Sequence, residues 1–234
     1  MRELVYKTFQ DYNIVSDIKS CEDMQVFVSS MLKYNETHNL TAITEPTEVL
    51  YKHILDSVLP YNLMQNSQKI LDIGCGAGFP SVPLAIINRN LDITAIDSVQ
   101  KKTEFVRLVK NKLELDNLQV MHTRIEDFAN NDSYREKFDV VVSRAVAPLN
   151  VILEYSAPML KNGGYIYAYK GQNYEQEVDL AKNALKILDC KVEKVEKFYI
   201  KEIDAYRYVL LIRKNSTISK KYPRNQNKPR LKPL

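Results

Sequence analysis

The sequence has few of the residues that build metal sites, disulfide frameworks and flexible loops. Its 234 residues include six glycines, three cysteines and three histidines. Cys21, Cys75 and Cys190 are far apart and form no C-x-x-C pair. An odd, scattered set of this kind argues against a disulfide framework. With His38, His53 and His122 the cysteines give no metal-ligand spacing, so no metal is expected. No apolar run approaches the roughly 20 residues of a membrane span. The opening MRELVYKTFQDY has no apolar signal core. A cytoplasmic protein with no membrane partner is therefore expected.

The apolar share of 45% and charged share of 26% suit a globular chain. The net charge of +4 is unevenly spread. Residues 213–234 hold eight Lys or Arg and no Asp or Glu, whereas the rest of the chain holds 25 basic and 29 acidic residues. Basic charge gathered at one end suggests a polyanionic partner, with a solvated tail as the plain alternative.

Three regions follow: an N-terminal helical extension (1–65) packed on the domain, a central domain (66–214) and a basic tail (215–234). From Ser20, the spacing of Met24, Phe27, Val28, Met31 and Leu32 predicts an amphipathic helix. Ser20 with Asp23 resembles a capping box. A second helix is expected from Thr44 and Pro46 to Pro60. From Lys69 strands and helices alternate. Strands are expected at 69–73, 92–97, 118–122, 138–143 and 163–171. Helices are expected at 79–88, 99–115, 148–160 and 173–188. An antiparallel pair, 190–200 and 206–214, closes the domain. Such alternation predicts an α/β fold with a parallel sheet covered on both faces. The tail, with three prolines after residue 219 and no apolar periodicity, is expected to be extended.

Three of the six glycines, Gly74, Gly76 and Gly78, lie in LDIGCGAGFP, directly after the first strand. A dinucleotide loop reads G-x-G-x-x-G. Here Phe79 stands at the third glycine position, which disfavours an NAD dehydrogenase. G-x-G-x-G instead fits the loop of S-adenosylmethionine enzymes, which hold no pyrophosphate. Asp97 ends the second strand, where an acidic residue commonly receives ribose hydroxyls; capping the next helix is compatible with that role. HTRIEDF (122–128) follows the third strand, so Ile125 and Glu126 are candidates for the adenine wall. Arg144 ends the fourth strand, as a site residue or a surface ion pair. No [DNS]PP[YFW] or Pro-Cys pair is present, which disfavours exocyclic-amine and pyrimidine-C5 methylation. Cys75 reads as a small loop residue, not a nucleophile.

These motifs, with NETHNLTAI (35–43), HILDSV (53–58), DSVQKK (97–102), SRAVAP (143–148), YKG (169–171) and the KYPR…PL tail (221–234), resemble the bacterial 16S ribosomal RNA guanine-N7 methyltransferase family, also called glucose-inhibited division protein B. The resemblance spans about Asn35 to Leu234. It implies a Rossmann-like methyltransferase fold: a mostly parallel seven-stranded sheet with an antiparallel final strand, plus N-terminal helices. It implies S-adenosylmethionine as cofactor, S-adenosylhomocysteine as product, and 16S ribosomal RNA or the small ribosomal subunit as partner. The cofactor contacts it implies are Gly74, Gly76, Gly78, Phe79, Asp97, Ile125, Glu126 and Arg144. In the tail, Lys220, Lys221, Arg224, Lys228, Arg230 and Lys232 are the RNA-binding candidates. Asn39, His53, Asp56 and Ser57 fall on the substrate side without assigned roles.

Guanine N7 carries a lone pair and no proton, so its methylation needs no general base. No catalytic residue is assigned, Arg144 being the one candidate. The chain is read as a monomer. Removing residues 220–234 is expected to weaken RNA binding and to spare the cofactor. The competing readings are a small-molecule methyltransferase and a non-enzymatic RNA-binding module on the same fold.

Overall fold

A computed structural model describes residues 1–234. Seven strands form one sheet in the order β3-β2-β1-β4-β5-β7-β6. They are β1 (Lys69–Ile73), β2 (Asp92–Asp97), β3 (Leu118–His122), β4 (Phe138–Arg144), β5 (Leu160–Lys170), β6 (Cys190–Ile200) and β7 (Ala205–Lys214). The pairs among β1–β5 are parallel, and β7 runs antiparallel to both β5 and β6. This is the expected mostly parallel sheet with an antiparallel final strand. The strand order reverses between β1 and β4, which places a switch point at their carboxyl ends.

The helices are α1 (Arg2–Asp11), α2 (Ile18–His38), α3 (Pro46–Val49), α4 (Asp56–Val58), α5 (Ser81–Ile87), α6 (Gln100–Lys112), α7 (Ile125–Asn130), α8 (Leu149–Ser156), α9 (Tyr174–Leu180), α10 (Lys182–Ile187) and α11 (Lys228–Leu231). A π turn, Leu50–Leu55, joins α3 to α4.

Alternation along the strands divides the core between the two sheet faces. Ile70, Ile93, Ala95, Val140 and Val142 face one side, packed with Phe27, Met31, Val82 and Phe105. Leu71, Ile73, Ile96, Val141 and Ile166 face the other, packed with Phe128, Leu149 and Leu153. The N-terminal helices thus share a core with the sheet. Phe9, Met24 and Phe27 are fully buried there. Each large apolar side chain so buried contributes about 1.5–3 kcal/mol. No helix is long and apolar enough to cross a membrane.

Several expectations are corrected at element ends. The cap of α2 is Asp17, whose carboxylate accepts from Ser20 N, so Ser20 receives no capping-box role. α7 makes a helix of the segment read as the loop after β3. The helix expected over 173–188 divides at Ala181, and β5 starts three residues early, at Leu160. The tail is not a free extended arm. Tyr222 and Pro229 are buried, and α11 lies within it. Its anchors are side chains far away in sequence, which periodicity cannot reveal. Arg135 donates to the carbonyls of Tyr222 at 2.8 Å and Ile218 at 3.3 Å.

Candidate active site

The glycine loop links β1 to α5 and turns against the end of β2. Gly74 N and Cys75 N donate to Ile96 O at 2.8 and 3.0 Å. Gly76 N donates to Asp97 Oδ2 at 2.9 Å, and Val99 N donates to Asp97 Oδ1 at 2.8 Å. Asp97 is thus both a partner of the loop and a turn cap before α6. Two backbone donors fix its carboxylate and leave further lone pairs for a ligand.

The three loop glycines have different surroundings. All have positive φ, a region that favours glycine. A Cβ on Gly74 would lie 2.9 Å from Val146 Cγ2, and one on Gly78 would lie 2.6 Å from Val82 Cγ2. These two allow close packing within the protein. A Cβ on Gly76 would meet nothing within 4 Å. The loop therefore presents bare backbone to open space at Gly76, beside Asp97. That cradle fits a nucleoside cofactor: open backbone at one point and an oriented carboxylate for ribose hydroxyls next to it.

Beyond β2 and β3 lies a cleft of about 310 Å³, lined by Ser98, Arg124, Ile125, Glu126, Tyr155 and Arg230 among others. Glu126 is buried in the first turn of α7 and accepts from Tyr155 Oη at 3.1 Å. Burial and the Glu126 charge push the Tyr155 hydroxyl up to about 12. Tyr155 therefore stays protonated and donates.

A larger cleft of about 810 Å³ opens at the carboxyl ends of β4 and β5. Asp56, Arg144, Tyr169, Lys170, Glu177 and Arg207 are among its lining residues. Here Arg144 is mostly buried and is no surface ion pair. Its Nη1 donates to His53 O at 3.0 Å and Ser57 Oγ at 3.2 Å, and its Nη2 donates to His53 Nδ1 at 2.5 Å. Asp56 Oδ2 lies 3.2 Å from Arg144 Nη1, and Asp56 Oδ1 lies 3.4 Å from Arg207 Nε. The π turn makes this possible, because side chains take up the His53 carbonyl.

The electrostatics of this cluster follow from burial. Burial first, then the Arg144 charge, pull His53 down to about 4. His53 is neutral at pH 7, with Nδ1 accepting from Arg144; the network then puts its proton on Nε2, facing Thr41 Oγ1 at 3.2 Å. Burial raises Asp56, opposed by Arg144 and Arg207. Asp72, fully buried on β1, is pushed up to about 7 by burial, against hydrogen bonds from Ser81. Burial holds the Cys75 thiol well above its usual value, so it is no nucleophile. No group of three or more His, Cys, Asp or Glu is arranged to hold a metal ion.

The structure brings Gly74, Gly76, Gly78, Asp97, Ile125 and Glu126 to one carboxyl edge. Phe79 is turned into the core, its ring 5.1 Å from Phe27 and 4.8 Å from His53. Arg144 sits in the larger cleft, joined to His53, Asp56 and Ser57 but not to Asn39, which caps α2. Tyr167 and Tyr169 are core residues, donating to Leu63 O and Ser57 O at 2.9 Å. Among the tail residues, Lys220, Lys221, Lys228, Arg230 and Lys232 are exposed and Arg224 is half-buried. Lys220 pairs with Asp132 at 3.0 Å, Arg224 is paired with buried Glu154, and Arg230 lines the smaller cleft. Sequence reading missed Arg207, Glu177 and Tyr155. Only strand alternation in YRY could have marked Arg207; the other two lie on helices with no distinguishing pattern.

A family model described as rRNA small subunit methyltransferase G matches residues 20–205. A ribosomal RNA small subunit methyltransferase G from Desulfitobacterium hafniense (strain Y51) is 39% identical over 227 residues, covering 97% of this chain and 95% of that one. The protein of the same name from Streptococcus pyogenes serotype M1 is 40% identical over 232 residues, covering 98% of each. Among solved structures, M. jannaschii TYW2 in complex with AdoMet superposes with a TM-score of 0.53 at 15% identity, covering 68% of this chain and 76% of that one. At that identity the likeness concerns the fold.

Proposed function

The chain belongs to the rRNA small subunit methyltransferase G family, and from that membership we propose that it transfers a methyl group from S-adenosylmethionine to N7 of a guanine in a loop of 16S ribosomal RNA. The observation that carries the cofactor reading is the Gly76–Asp97 cradle. Bound there, S-adenosylmethionine supplies an electrophilic methyl group on a sulfonium. Asp97 accepts ribose hydroxyls through lone pairs left free by Gly76 N and Val99 N. Ile125 and Glu126 form the adenine wall. Gly74 and Gly78 hold the loop close to the site, and Phe79 props His53 behind Arg144. Arg144, anchored by His53, Asp56 and Ser57, stands at the border between cofactor and substrate. S-adenosylhomocysteine is the product.

The larger cleft receives the target base. N7 has a free lone pair, so no residue need remove a proton, and the carboxylates lining the cleft, Asp56 and Glu177, are paired with Arg144, Arg207 and Lys170. His53, neutral and tied to Arg144, acts as an anchor. The protein contributes orientation and exclusion of water, which supply up to ~7–11 kcal/mol in favourable cases. In an RNA helix the deep major groove hides N7, so an unpaired guanine is the substrate. The exposed lysines of the tail, with Arg230, meet RNA phosphates, so binding weakens steeply with salt. The protein acts as a cytoplasmic monomer.

The test is methyl transfer from radiolabelled S-adenosylmethionine to small-subunit RNA and particles, followed by nucleoside analysis. Label in 7-methylguanosine is expected. Label in another nucleoside would overturn the assignment to N7.

A further inference from the structure

The basic tail crosses the carboxyl edge of the sheet and is tied to both sides of the smaller cleft. Arg224 makes the strongest tie. Its N and Nε donate to Glu154 Oε1 at 2.8 Å, and its Nη2 donates to Oε2 at 2.6 Å. Glu154 lies fully buried on α8. One residue on, Asn130 Nδ2 donates to Asn225 Oδ1 at 2.6 Å, which joins the tail to the end of α7. Farther along, Arg230 Nη2 donates to Val146 O at 3.2 Å, in the loop after β4. Val146 is the residue whose side chain faces Gly74. The same short stretch therefore touches α7, α8 and the loop that packs on the glycine loop.

Arg230 also stands beside the Tyr155–Glu126 pair. It lines the 310 Å³ cleft with those two residues, Ile125 and Ser98, the neighbour of Asp97. The Arg230 charge acts on the Tyr155 hydroxyl, opposing the upward push of burial and Glu126. A tail that served only as an RNA arm would not need to reach this point.

We propose that residues 222–231 form the outer wall of the cofactor cleft, with Arg230 as a positioning residue that orders Tyr155, Glu126 and the Val146 loop around the nucleoside end of the cofactor. This inference rests on the proposed cofactor reading. It also revises the expectation that the tail can be removed without cost to cofactor binding.

The test measures cofactor binding without RNA, by equilibrium dialysis with radiolabelled S-adenosylmethionine. The proteins are the wild type, Arg230→Ala, Arg230→Lys and Lys186→Ala, with thermal melting to check folding. Lys186→Ala removes the same charge from an exposed position on α10 that lines neither cleft and lies outside the tail. Arg230→Ala is expected to weaken cofactor binding roughly tenfold, the scale of one charge-assisted hydrogen bond. Arg230→Lys should recover part of that loss, and Lys186→Ala should stay within about twofold of wild type. Equal affinities for Arg230→Ala and Lys186→Ala, with wild-type binding intact, would overturn the wall and leave the cofactor reading standing. A wild type that binds no cofactor would overturn both.

Discussion

Two arginines join the added segments of this chain to its sheet, in opposite ways. Arg224, on the tail, reaches into the domain and gives its charge to Glu154, which has no solvent exposure. Arg144, on β4, reaches out of the sheet to the N-terminal helices and shares Asp56 with Arg207. The first is a single pair in which the acid depends on one cation. The second is a network with a spare cation, a neutral histidine and a serine. Removing one partner should therefore matter most for folding at Arg224 and most for chemistry at Arg144.

The largest effect is expected at the tail. Arg224→Ala leaves a buried carboxylate without its cation, and loss of such a partner costs about 3–5 kcal/mol. Urea unfolding would measure it, and a loss below about 1 kcal/mol would show that Glu154 finds another partner or takes up a proton. Arg144→Ala should cost less stability, because Asp56 keeps Arg207. Methyl transfer should nevertheless fall about a hundredfold, the scale of losing alignment at a reacting centre. If activity and stability fell together in the proportion seen for Arg224→Ala, the two arginines would be equivalent.

The glycine loop sharpens the contrast between folding and function. Gly76→Ala faces open space, so its folding cost is that of a left-handed backbone, about 1–2 kcal/mol. Cofactor affinity should drop about tenfold. Gly78→Ala should lower the melting temperature further, because its Cβ would meet Val82 at 2.6 Å. Equal cofactor affinity in wild type and Gly76→Ala would move the cofactor away from that point.

The smallest net effect in the wild type concerns pH, where two opposed contributions meet. His53 titrates near 4 in the folded chain and near 6.5 unfolded. The unfolded state binds more protons between these values, so His53 makes stability rise with pH over that window. Asp72 titrates near 7 folded and 3.8 unfolded. It acts oppositely: its contribution, full below pH 3.8, is lost as pH rises through 7. The two partly cancel. Asp72→Asn should expose the rising slope, and His53→Gln the falling one, in urea unfolding at pH 4 to 7. Unchanged slopes in both variants would contradict these protonation states.

The sheet was largely legible from the sequence. β1, β2 and β3 were bounded correctly because each is a short apolar run closed by turn residues, and the glycine spacing marked the first crossover. Gly74, Asp97 and Glu126 converge at the edge expected of them because parallel strands put their carboxyl ends together. What stayed hidden depends on distant partners. Ser20 and Asp23 look like a cap, yet Asp17 lies at the geometric start of α2. Nothing local in YPRNQNKPR shows that a buried glutamate on α8 holds it. The π turn arises where Arg144, some 90 residues away along the chain, takes a helix carbonyl.

Amide hydrogen exchange of the full chain with and without S-adenosylmethionine tests the account most directly. Slower exchange is predicted in three segments of the carboxyl edge, 74–79, 97–99 and 122–128, and also in the tail at 222–231. Slowing confined to other parts of the chain, with those segments unchanged, would contradict it.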